Sequence, residues 1–288
     1  MSGSPSSSSA GAPSADGGDR LVTPALHQPL VYGHRGCSLR APENTLASFA
    51  LVAALAVRVD ADRADAPAPR IGVELDVQLS SDGEVVVIHD FTLDRVAGRV
   101  DRVSQTPWSE LRTVDVGSWF DSRYHGERIP LLSQVFQLLG ERVQYDIELK
   151  HRVRGETGLE SRVAETIQRH GMDHRCIVSS FNPYALRAIH RHAPQLPRAL
   201  IYSNSPDVPW ALRRGAGRFL LAADILKPEW EQAGRALSRL RIGRRLPVLP
   251  WTVNDRQTAR DLLARGCIGV ISDSPETIVA GLQTPHQS

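Results

Sequence analysis

Short apolar runs alternate with helical patterns along most of the chain, and this alternation limits the fold more than any other feature. The runs fall at 29–33, 71–79, 85–89, 143–149, 176–180, 198–202, 218–222, 247–253 and 268–272. Apolar residues recur at helical spacing over 45–56, 160–170, 183–192, 229–240 and 255–265. Strands that take turns with helices form a parallel sheet covered by those helices. Two of the nine runs are separated only by Ser80-Ser81-Asp82-Gly83. A link this short makes a hairpin and not a parallel crossover. With 85–89 as the hairpin arm, eight parallel strands remain, the number a closed (β/α)8 TIM barrel needs.

Length and composition agree with that expectation. The first 28 residues are rich in Ser, Gly, Ala and Pro. Such a segment buries too little apolar surface to offset its ordering entropy, so 1–28 reads as a disordered tail and 29–288 as a single barrel domain. Two stretches exceed a bare barrel. Residues 57–70 are polar and rich in Pro and Ala, as in an exposed loop. Residues 91–130 lack a strand-helix unit and carry Trp108, Trp119, Phe120 and Tyr124. An insertion that long in a compact domain is usually a lid or small subdomain.

Several function classes are disfavoured. The chain has 34 Lys plus Arg against 32 Asp plus Glu, a formal charge of +2 that exerts no long-range pull on nucleic acid or anionic membrane. No apolar stretch approaches the length of a transmembrane helix. The three cysteines, Cys37, Cys176 and Cys267, are too few and too far apart for a disulfide framework. A reduced, cytoplasmic protein is expected, with Cys37 a small packing residue.

Charge placed inside apolar strands carries the functional signal. Side chains at i and i+2 share a strand face. Glu74 and Asp76 therefore project together from VELDV, as do Glu148 and Lys150 from YDIELK. Unpaired buried charge is costly. Either each carboxylate pairs with an arginine, or the three converge on a hard divalent cation with oxygen ligands. His34 and Arg35 follow the first strand, and His89 ends the hairpin arm. Strand C-termini form the active-site face of a barrel, and two imidazoles there can supply one base and one acid. Three carboxylates, a divalent ion, Arg35 and Lys150 sum to +1, which suits a monoanionic phosphodiester. Only two of the 34 basic residues are lysines, Lys150 and Lys227.

In this order the motifs resemble the glycerophosphodiester phosphodiesterase family. They are GHRG with APENTLASF, VELDVQLSSDGEVVVIHD, LRTVDVGSWF, ERIPLL, YDIELK, VSSF, WTVND and GVISDSP, running from Tyr32 to Pro275. The resemblance implies a TIM barrel with a small insertion at about residues 91–130. It implies Glu74, Asp76 and Glu148 as ligands of one divalent cation, Mg²⁺ or Ca²⁺. It implies His34 and His89 as the general acid/base pair and Arg35 and Lys150 as phosphate contacts. Glu43 would position the first histidine or the metal site, and Trp251 would form a pocket wall. The expected reaction is hydrolysis of a small glycerophosphodiester to glycerol 3-phosphate and an alcohol. A lysophospholipase D-type activity, with an acyl groove from Trp108, Trp119 and Phe120, is the alternative on the same scaffold. A non-catalytic phosphoester-binding barrel is disfavoured because no catalytic motif residue is missing. The chain departs from the family pattern in the short Val-Ala-Gly-Arg-Val-Asp stretch after HDFTLDR, in the length of 57–70, and in Ser272-Asp273 where Thr-Asp is common.

Overall fold

The computed structural model describes residues 28–62, 68–150, 153–206, 208, 213, 215, 223–238, 240–241 and 244–283. Its strands are β1 Leu30–His34, β2 Arg70–Leu79, β3 Val85–Val87, β4 Gln144–Leu149, β5 Cys176–Ser180, β6 Arg198–Tyr202 and β7 Ile225–Pro228. A ribbon of β8 Leu240–Arg241 and β9 Arg244–Arg245 follows, then β10 Gly269–Ser272. Seven strands pair in the order β10-β1-β2-β4-β5-β6-β7, every neighbour parallel. The arm β3 folds back antiparallel on β2, as the four-residue link requires.

The eighth barrel position is an irregular segment around Val248–Trp251. It makes parallel bridges to Leu226 and Glu229 on one side. On the other, Ile268 N–H donates to Val248 O at 3.0 Å and Ile271 N–H to Pro250 O at 3.0 Å, while Val253 N–H donates to Ile271 O at 2.8 Å. These bonds close the sheet into a barrel. The expected regular strand at 247–253 does not form, because Pro247 and Pro250 lack the N–H that a continuous ladder uses.

The run at 218–222 lies outside the described residues; β7, at Ile225–Pro228, is a barrel strand that the expected runs do not include. Other expectations need correction. Residues 57–61 are not loop. They continue helix α1, Leu46–Ala61, which Thr45 caps by accepting from Ser48 N–H. The pattern at 229–240 breaks into a 3₁₀ turn, Trp230–Gln232, and a short helix, Ala233–Leu237. Helices Leu132–Leu139 and Pro275–Gln283 form in addition to the expected patterns.

Alternation splits each strand between two cores. Val73, Leu75 and Val77 of β2 and Tyr145, Ile147 and Leu149 of β4 face outward into the cluster beneath the helices. Leu30, Tyr32, Ile177, Ala199, Ile225, Leu249 and Ile271 fill the barrel interior. Gly72 admits the Tyr32 ring there; a Cβ at Gly72 would lie 2.4 Å from it. The insertion has its own cluster, built from Val86, Ile88, Leu93, Val96, Val103, Leu111, Val114, Val116 and Ile129. Trp108 packs against this cluster and does not join Trp119 and Phe120. Among the described residues, no helix is long and apolar enough to cross a membrane.

Candidate active site

Register places the acids. In the parallel pairing of β2 with β4, Glu74 lies opposite Asp146 and Asp76 opposite Glu148. All four side chains point into the barrel and are buried. Glu74, Asp76 and Glu148 each offer an oxygen, and these oxygens lie within 4.8 Å of one another. At that spacing and an effective dielectric of about 20, each like-charge pair costs roughly 3–4 kcal/mol. Burial, then Asp76, pushes the Glu74 carboxyl well above the usual carboxylate range. Burial also acts on Asp76, yet Arg35 and Lys150 outweigh it and hold Asp76 well below that range.

The GHRG turn after β1 brings in the cations. Gly36 has φ of +89°, and a Cβ there would meet Ser48 Oγ at 2.4 Å. Arg35 itself is left-handed at φ of 56°. That backbone is unusual for a long side chain and directs Arg35 at the acids. Its backbone N–H donates to Glu74 Oε2 at 3.2 Å, its Nη1 donates to Glu43 Oε1 at 2.9 Å, and its Nε lies 3.2 Å from Asp76 Oδ2. Lys150 Nζ donates to Glu148 Oε1 at 3.0 Å and lies 3.5 Å from Asp76 Oδ1. The pairing of every carboxylate with an arginine is therefore realised in part: it holds for Asp76.

The two histidines are held alike. His34 Nδ1 lies 2.6 Å from Asp273 Oδ1, and His89 Nδ1 lies 2.6 Å from Asp90 Oδ1. The His89 bond, with Arg95, keeps Asp90 well below the usual carboxylate range. Burial raises Asp273, but His34, Asn254 and Ser38 outweigh it and the net direction is down. Both aspartates are therefore acceptors, Nδ1 carries the proton in each ring, and each Nε2 is left for chemistry. His34 Nε2 lies 4.0 Å from Glu74 Oε2.

A cavity of about 120 Å³ lies between these groups, lined by His34, Arg35, Glu74, His89, Glu148 and Lys227. Phe181, Ile201, Trp251 and Ile271 form its apolar wall. Trp251 meets Phe181 edge to face at 5.7 Å, and its indole N–H donates to Lys227 O at 3.1 Å. Glu43 lies outside this cavity, between Arg35 and Arg95. Of the expected residues, His34, Arg35, Glu74, His89, Glu148 and Trp251 line the cavity, Asp76 and Lys150 lie behind them in contact with Arg35 and Glu148, and Glu43 does not line it.

Several residues of the site escaped sequence reasoning. Asn44 is left-handed at φ of 56°, donates to Asp76 Oδ2 at 2.9 Å and accepts from Asp76 N–H at 3.3 Å. Gln78 Nε2 donates to the carbonyls of Ile88, His89 and Asp90 at 3.0, 3.2 and 2.7 Å. It therefore fixes the backbone that carries His89. Lys227, on β7, is buried beside Asp146 and Ser179. Asp146 and Gln78 alternate with the acids already singled out, and Lys227 is the second of only two lysines, so each had a legible signal. Cys37, although next to the GHRG turn, is buried, and burial pushes its thiol up to about 12. It is an inert packing residue.

Residues 34–277 match the sequence profile of the glycerophosphoryl diester phosphodiesterase family. A glycerophosphodiester phosphodiesterase of Caldanaerobacter subterraneus is 34% identical over 253 residues, covering 87% of this chain and 96% of that protein. A phosphodiesterase of Oleispira antarctica, solved in complex with the product sn-glycerol-3-phosphate, superposes with a TM-score of 0.75 at 29% identity, over 89% of this chain and 98% of that one. A glycerophosphodiester phosphodiesterase of Agrobacterium tumefaciens superposes with a TM-score of 0.65 at 27% identity, over 88% and 99%.

Proposed function

The chain belongs to the glycerophosphoryl diester phosphodiesterase family, and on that premise we propose that it hydrolyses small glycerophosphodiesters, such as glycerophosphocholine or glycerophosphoethanolamine, to glycerol 3-phosphate and the free alcohol. One observation carries this reading. Two imidazoles, each tied through Nδ1 to an aspartate, flank a cavity lined by buried carboxylates and cations.

The donor set fits a hard divalent cation. Glu74, Asp76 and Glu148 supply only oxygen and total −3, of which Arg35 and Lys150 return +2. These three carboxylates would hold one Mg²⁺ or Ca²⁺. When bound, such an ion polarises the phosphoryl group and offsets the charge that develops on it. Arg35 and Lys150 bind the non-bridging oxygens and orient the diester. One of His34 and His89, bare at Nε2, takes the proton of the attacking hydroxyl, which belongs to water or to the neighbouring glycerol carbon. A new P–O bond forms, the P–O bond to the alcohol breaks, and the other histidine, entering as the imidazolium, gives its Nε2 proton to the departing oxygen; where the glycerol hydroxyl attacks, water then opens the cyclic phosphate to glycerol 3-phosphate. Trp251 and Phe181 shield the reacting centre from bulk water on the apolar side.

The insertion and the barrel act as one catalytic unit within a single domain at 29–288, a reading supported by Arg95, at the start of the insertion, which contacts Asp90 and Glu43. A reducing, cytoplasmic location accords with the three cysteines, which are free and buried.

The test is glycerol 3-phosphate release from glycerophosphocholine by the purified protein, alone, with EDTA, and with Mg²⁺ or Ca²⁺ restored. Release that EDTA abolishes and metal restores is the expected result. Release indifferent to EDTA would remove the metal from the reading. No release with any metal would overturn this substrate class and move the reading to lysophospholipids.

A further inference from the structure

The geometry points to Arg95 as a positioning residue that couples the insertion to His89 and Arg35 at once, an inference that rests on the function proposed above. Arg95 lies on the short helix Asp94–Ala97 at the start of the insertion. Its Nε donates to Asp90 Oδ2 at 2.5 Å. Its Nη2 and Nη1 donate to Glu43 Oε1 and Oε2 at 2.7 and 3.1 Å. Both carboxylates have a second duty. Asp90 holds His89 Nδ1 through Oδ1, and Glu43 Oε1 also accepts from Arg35 Nη1. The result is an unbroken chain, His89–Asp90–Arg95–Glu43–Arg35. Trp119, from a later part of the insertion, lies 5.3 Å from the guanidinium carbon and covers one face.

Energy alone would not single out this residue. The Arg95 side chain is 41% exposed, and exposed ion pairs add little to stability. Its value is geometric. A planar fork satisfies Glu43 with two nitrogens and Asp90 with the third, whereas a lysine ammonium is a point donor that cannot reproduce both contacts. Without the fork, Asp90 is free to swing away from His89 and Glu43 from Arg35. A misplacement of about 1 Å at a reacting group costs up to ~10²-fold in rate. The insertion therefore contributes a brace to the chemistry.

The experiment uses the full chain with Arg95→Lys and Arg95→Met. Both variants should lose roughly 10- to 100-fold in kcat/KM, mostly in kcat, with Lys recovering little and the melting temperature nearly unchanged. Wild-type kcat in either variant, or restoration by Lys, would overturn the proposal. A second readout needs no turnover: the downfield Nδ1 proton of His89 in NMR spectra, assigned with His89→Gln. Arg95→Met should broaden or shift it and leave the His34 proton in place. An unchanged His89 line would overturn the brace even if the wild-type protein proved inactive on glycerophosphodiesters. If Arg95→Met does not fold, the same spectrum of Arg95→Lys decides.

Discussion

Lys227 Nζ lies 2.5 Å from Asp146 Oδ2 in the barrel interior, with both side chains almost wholly removed from water. Ser179 bridges them, accepting from Lys227 at 3.0 Å and donating to Asp146 Oδ1 at 2.6 Å. Burial works against the ammonium, yet Asp146, Glu74 and Glu148 outweigh it and raise Lys227 further. Removing one partner leaves a buried charge with no counterion. Lys227→Met should therefore destabilise the protein by about 3–5 kcal/mol in denaturant unfolding. The double variant Lys227→Met/Asp146→Asn should recover most of that loss. Equal stabilities of the single and double variants would show that the pair is not the cause.

His34 and His89 carry the proton transfers in the proposed reaction. Alanine at either position should lower kcat by roughly 10²- to 10⁴-fold. Asp273→Asn keeps the contact to His34 but removes the charge that fixes its tautomer, so kcat should fall more than KM changes. Steady-state kinetics at saturating metal checks all three variants. Near-full activity in both alanine variants would remove the histidines from the mechanism.

Asn44 holds Asp76 through two hydrogen bonds, one from its own side-chain amide and one from the Asp76 backbone. Asn44→Gly keeps the left-handed backbone and deletes both bonds. The metal concentration for half-maximal activity should rise by about 10- to 100-fold. Titration of Mg²⁺ or Ca²⁺ into the metal-free variant measures this, and a curve identical to wild type would contradict it.

Asp115 organises the insertion. It accepts from the backbone N–H groups of Gly117, Ser118 and Gly126 at 2.9–3.0 Å. Partial burial opposes its ionisation, but these bonds prevail and hold it well below the usual carboxylate range. For a depressed carboxylate the stabilisation is complete above its unfolded pKa of about 3.9, and is lost as pH falls through the lower folded value. Wild-type stability should decline on acidification below about pH 4, and Asp115→Asn should flatten that decline. Unfolding midpoints at a series of pH values report it.

Strand periodicity made most of the barrel legible, because the apolar runs coincide with β5 and β6 and nearly coincide with β1, β2, β4 and β10. It failed around β7. There the segment ILKP, which is not among the expected runs, forms a strand whose lysine is buried beside Asp146. The acids were legible because a charge in an apolar strand is conspicuous. The residues that hold them were not. Asn44, Asp273 and Arg95 act by reaching across the fold to a partner, and residue spacing contains no trace of the contact between Asn44 and Asp76. The hairpin arm β3 could be recognised from the four-residue link alone.

The prolines at 247 and 250 have a dynamic consequence. Seven barrel positions are stitched by regular ladders, whereas the eighth is held by scattered bonds on both flanks. Local opening begins where backbone hydrogen bonds are fewest. Amide exchange at Leu249, Trp251 and Val253 should therefore outpace that of β2 and β4, where the acids sit. Trp251 stands on that seam, so the apolar wall of the cavity yields first while the charged wall stays rigid.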